Sequence, residues 1–135
     1  MNAILDHPYL YTAVYYVAGL IGIIISMVVF ELVTKYKNWE EIRKGNAAVA
    51  MATGGKIFGL ANIFRFSVQH KDTLGEFLLW GGFGFLLLIV TYWLFEFMTL
   101  KINVDEEIGK DNRAVGLLSM VLSIGVSYVI GASIT

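Results

Sequence analysis

EEIRKGNAAVAMATGGKIFGLANIFRFS, residues Glu40 to Ser67, lies over EEIGKDNRAVGLLSMVLSIGVSYVIGAS, residues Glu106 to Ser133, at a constant offset of 66. Glu40, Glu41, Ile42, Lys44, Asn46, Ala48, Val49, Gly59 and Ser67 recur in the second stretch. Upstream, with one residue inserted, Phe30, Glu31 and Thr34 return as Phe95, Glu96 and Thr99. Self-similarity over a fixed period marks a repeated supersecondary unit. Each unit reads as a helical hairpin: a large-residue helix ending in F-E-x-x-T, a turn carrying E-E-I-x-K-x-N, and a small-residue helix.

Both helices of each unit are apolar enough to sit in lipid. The spans are expected near 10–33, 46–68, 76–99 and 112–134, each long enough to cross a hydrocarbon core of roughly 30 Å at about 1.5 Å per residue. Composition agrees, with 57% hydrophobic residues, 16% charged residues and a mean hydropathy of +0.68, whereas soluble domains carry about a quarter charged residues. The second span holds Lys56 and Asn62 yet is otherwise apolar or small. A re-entrant segment would strand backbone groups in lipid, and a surface helix would need a strongly charged face. Strands would alternate over about ten residues, and these segments do not. The expected fold is an all-α polytopic membrane protein of four transmembrane helices, a single membrane domain over 1–135. Repeat one covers about 10–68 and repeat two about 76–134. Two crossings per unit point both copies the same way, as tandem parallel hairpins; parallel repeats occur in transporters beside the inverted ones.

The E-E-I-x-x-G-N-x-A-x-A pattern, altered in the second copy to E-E-I-x-K-D-N-R-A-V-G, resembles the domain of unknown function 350 family, also called uncharacterised protein family 0719. The resemblance covers nearly the whole chain. It implies a small bacterial plasma-membrane protein with four spans, and it brings no activity and no catalytic or binding residues with it.

Orientation is read from the short loops. Lys35, Lys37, Arg43 and Lys44 flank the first turn and Lys101, Lys110 and Arg113 the third, against Arg65 and Lys71 at the second. Basic loops stay in the cytoplasm, so both termini are expected outside. Tyr36, Trp39 and Trp80 stand near span boundaries as candidate interfacial anchors.

Several functions are excluded or left without a signal. No cysteine is present, which removes disulfides, thiolate metal sites and cysteine nucleophiles. A net charge of −1 leaves no footprint for nucleic acid. His7 and His70 lack a third ligand, so no metal or cofactor site is expected. There is no phosphate loop, no G-x-S-x-G and no Ser-His-Asp set, and an enzyme is not expected.

The unusual residues lie inside the spans. Lys56 falls ten residues beyond Asn46, about 15 Å along a helix and near the bilayer midplane. Its candidate partners are Glu31 and Glu96, toward which a side chain leaning to its own helix N-terminus would reach. The network either lines a conduction path or proton relay, or fixes packing as a buried pair or a snorkelling lysine. Gly55 and Gly59 form a close-approach pattern on helix two with Asn62, and helix four carries Ser119, Ser123 and Ser127. Such stripes either pack helices or offer oxygen ligands to an ion. Glu40, Glu41 and Asn46, with Glu106, Glu107 and Asn112, read as helix caps or as an acidic vestibule. Two classes of function follow. One is a homo-oligomeric small-ion channel or transporter with helices two and four lining a polar path through the lipid bilayer. The other is a non-conducting scaffold for an envelope-stress or membrane-organising partner.

Overall fold

The computed structural model describes residues 7–34, 36–70, 73–98 and 103–134. Six helices occur among them and no strand. Four are long: α1 (Pro8–Val33), α3 (Ala47–His70), α4 (Leu74–Met98) and α6 (Arg113–Ser133). Two are short and sit inside the E-E-I turns: α2 (Asn38–Arg43) and α5 (Val104–Gly109). The four long helices have the length and apolar composition to cross a membrane, and their ends fall within two residues of those expected. The short helices were not anticipated. They form because E-E-I-x-K supplies carboxylates for a first turn and a lysine at the C-cap, matching the helix dipole.

The turn chemistry recurs at the offset of 66. Gly45 has φ +90° and Asp111 has φ +65°, both left-handed, so the chain leaves each short helix and enters the next long one in the same way. The Asn46 Oδ1 accepts from the Val49 amide at 3.0 Å and the Asn112 Oδ1 from the Val115 amide at 3.4 Å. Each asparagine's Nδ2 donates to the matching carboxylate, Glu41 or Glu107, at 3.3 Å. Lys44 pairs with Glu40 at 3.8 Å and Lys110 with Glu106 at 2.9 Å. That second contact, a hydrogen bond with the charge of Glu106 behind it, holds the exposed Lys110 ammonium above its ordinary pKa.

α3 is the most enclosed long helix and α1 the least. The most extensive interface joins α3 to α6, which run side by side in the same direction: Ala48 meets Gly116, Gly55 meets Met120, Gly59 meets Ser123, and Phe66 meets Gly131. A Cβ on Gly55 would stand 2.6 Å from the Met120 Cα, and one on Gly116 2.7 Å from the Ala48 Cα. Backbones this close leave room only for hydrogen, the reason small residues fill such interfaces. At the end away from the E-E-I turns, the Phe64 ring wedges between Gly22 of α1 and Gly81 of α4. The bundle core between is Met27, Phe30, Leu60, Ile63, Leu88 and their neighbours.

A charge site at the E-E-I end of the bundle

Lys56 is wholly buried. It lies on the third turn of α3, and its four-carbon stem points back toward the E-E-I end, the direction helix geometry sets. There the Nζ donates to the Tyr36 hydroxyl at 3.1 Å. Three rings surround the ammonium, with centroids at 4.8 Å for Tyr92, 5.1 Å for Phe30 and 5.5 Å for Tyr36. Ring faces are negative, and a desolvated cation gains about 2 kcal/mol or more from a well-placed one.

The carboxylate that acts electrostatically on Lys56 is Asp105. It is buried on α5, and the Tyr92 hydroxyl donates to its Oδ1. Tyr92 thus faces the cation with its ring and the anion with its hydroxyl. The expected pairing with Glu31 does not form among the described residues. Glu31 is half-exposed on α1. The side chain of Glu96, together with Thr99 and Lys35, lies outside the described residues. The physical reason is the path of the chain after α1, which brings Tyr36 beneath α3 and within reach of the lysine. Tyr36, expected at a membrane interface, is buried instead, while Trp39 is exposed.

The stripes meet each other within one chain. Asn62 donates to the Ser127 hydroxyl at 3.0 Å, and Ser127 to the Ile124 carbonyl at 2.6 Å. Ser119, Ser123 and Ser127 are all buried. The hydroxyls of Thr53 and Ser119, positions 66 apart, are buried with no hydrogen-bond partner among the described residues. A void of about 10 Å³ lies between Phe30, Tyr92 and Ser123, linking the lysine's rings to the serine stripe. The six turn residues cap and brace their helices as described above.

Tyr92 and Asp105 belong to no recurring motif, yet comparison of the two similar stretches singles them out. Lys56 stands where copy two has Leu122, Asp105 where copy one has Trp39, and Tyr92 where copy one has Met27. The cation, the anion and the tyrosine between them all lie where the copies differ. Phe30, the third ring, stands where the two stretches agree, recurring as Phe95.

With that geometry in place, the chain can be set beside known proteins. The family model described as "Domain of Unknown Function (DUF350)" matches residues 4–134. The chain belongs to the DUF350 family. A relative named UPF0719 transmembrane protein YshE, from Bacillus subtilis (strain 168), is 51% identical over 122 residues, covering 90% of this chain and 91% of its own. The UPF0719 inner membrane protein YjfL of Escherichia coli (strain K12) is 24% identical over 115 residues, covering 84% of each. No solved structure matches. With relatives so named and four apolar helices of spanning length, this DUF350 protein is an integral membrane protein in contact with lipid.

Proposed function

We propose that the protein is a small-ion channel or transporter of the bacterial plasma membrane, with Lys56, Tyr36, Tyr92 and Asp105 as its charge site. The observation that carries this is Lys56 itself, an ammonium wholly enclosed in the bundle and held by a hydroxyl and ring faces, with no ion pair to a carboxylate among the described residues. An ionisable group inside a membrane is costly and marks an ion or proton pathway by default. Lys56 donates a hydrogen bond to the Tyr36 oxygen and the Tyr92 hydroxyl donates one to Asp105, so each ionisable side chain of the site is held by a tyrosine hydroxyl. The small void beside Ser123 touches the site at Phe30 and Tyr92 and the α6 stripe at Ser123. Because the α3 and α6 stripes are closed against each other within one chain, ion movement requires the two helices to part, or a homo-oligomer whose copies share the path. The matched turns support reading the two hairpins as parallel copies of one unit, with the E-E-I turns in the cytoplasm and both termini outside. No enzymatic activity is proposed.

The test is flux in proteoliposomes under a pH or salt gradient. Wild type should carry flux, and Lys56→Met should lower it at least tenfold while the protein stays folded and assembled. Wild-type vesicles no leakier than protein-free ones would sink the reading. A second reading, a non-conducting scaffold, has support in the exposed Trp39 beside the surface charges of α2. Retention of a cytoplasmic partner that Trp39→Ala abolishes, with no flux, would select it.

A further inference from the structure

At the end away from the E-E-I turns, a groove of about 450 Å³ runs between α1 and α3. Tyr11, Tyr15, Gly19 and Ile23 form one wall, Phe64 and Val68 the other, and Arg65 stands at its edge. We propose that this groove holds one acyl chain of an anionic phospholipid, with the lipid phosphate resting on Arg65.

Its length fits one leaflet. From Tyr11 to Ile23 is twelve residues of α1, about 18 Å at 1.5 Å per residue, close to half of a hydrocarbon core of roughly 30 Å. The walls are apolar along that length, and α1 is the least enclosed helix, so the groove faces hydrocarbon rather than water. Glycine at position 19 keeps it open.

Charge selects the headgroup. Arg65 is exposed five residues before the last residue of α3, about 7.5 Å from the helix end, the depth at which a long cationic side chain reaches the interface. Its Nε donates to the Asn62 Oδ1 at 3.3 Å and its guanidinium lies 4.5 Å from the Phe66 ring centroid. No carboxylate pairs with it among the described residues. The remaining guanidinium donors suit a phosphate, which arginine binds through two parallel hydrogen bonds. Neighbouring Tyr9, Tyr11 and Tyr16 are exposed, as aromatic side chains are at the headgroup level.

The experiment reconstitutes the full chain with equal parts phosphatidylglycerol and phosphatidylcholine, extracts it in mild detergent and counts retained lipids by native mass spectrometry. Wild type should retain phosphatidylglycerol over phosphatidylcholine by about tenfold, the scale of a charge-assisted contact. Arg65→Gln should erase the preference and Arg65→Lys should keep part of it, so that a folding defect in the first variant does not decide the matter. Gly19→Leu, whose added side chain enters the groove, should lower retention of both lipids. Equal retention by wild type, or an undiminished preference in Arg65→Gln, would overturn the proposal. So would a disulfide between copies through Tyr16→Cys, which would place a second chain on the groove.

Discussion

The backbone amide of Ala48 donates to the Asp111 carboxylate at 2.9 Å, so the first turn of α3 is capped by the turn that precedes α6. The Asn46 amide group answers by donating to the Gly109 carbonyl at 2.9 Å. The aspartate explains why copy two reads K-D-N where copy one reads K-G-N. It tolerates a left-handed backbone that glycine adopts more freely, and it supplies an acceptor that glycine lacks.

Replacing Asp111 should therefore separate backbone strain from capping. Asp111→Ala loses the acceptor and puts at positive φ a residue that tolerates the left-handed region less well than aspartate, with an expected cost of about 1–2 kcal/mol. Asp111→Gly should cost less, and Asp111→Asn least. Unfolding in mixed micelles measures the order, and equal stability of the alanine and asparagine variants would refute the role of the cap.

Adjacent glycines should behave oppositely. A Cβ on Gly55 meets the Met120 backbone, whereas one on Gly54 meets nothing within 4 Å. Gly55→Ala should destabilise by about 1–3 kcal/mol through overpacking. Gly54→Ala should be neutral or stabilising by about 0.5–1 kcal/mol, since alanine suits a helix interior better. The same unfolding assay checks both, and a neutral Gly55→Ala would show that the two backbones can separate freely.

Lys56 should be energetically coupled to Asp105 and not to Glu31. A double-mutant cycle of Lys56→Met with Asp105→Asn should give a coupling of about 0.5–3 kcal/mol, whereas Lys56→Met with Glu31→Gln should be additive. Tyr92→Phe, which removes the hydroxyl from Asp105 but keeps the ring, should weaken the first coupling. Additivity in the Asp105 cycle would leave the lysine a packing residue.

Orientation is open to impermeant thiol labelling in this cysteine-free chain. Single cysteines at the exposed positions Gln69 and Thr73 should be labelled in intact cells, and those at the exposed positions Lys44 and Lys110 only after permeabilisation. The reverse pattern would invert the topology.

Spans were legible because hydrophobicity over twenty residues is a property of composition, independent of what each helix touches. Gly55 and Gly59 were legible as a contact stripe for a similar reason, since small residues at helical spacing serve any close partner. The partner of Lys56 was not. Glu31 and Glu96 drew attention by recurring, but the lysine's environment depends on how residues 36 and 105 fold back under the bundle, and no periodicity encodes that path. The role of Asp111 is not legible in the motif, because its acceptor matters only once Ala48 is beside it. The stripe of serines, open in the sequence to packing or to ion binding, lies here against α3 of the same chain, with Asn62 bonded to Ser127.

The broad seam between α3 and α6 also governs how the protein is made. The consecutive long helices α1 and α3 share much less surface than α3 shares with α6, which is made later. Until α6 emerges, α3 must wait in the membrane with its glycines unmatched and Asn62 without Ser127. Chains cut short after α4 should therefore behave as clients of membrane quality control, and a nascent protein should gain much of its stability when α6 inserts.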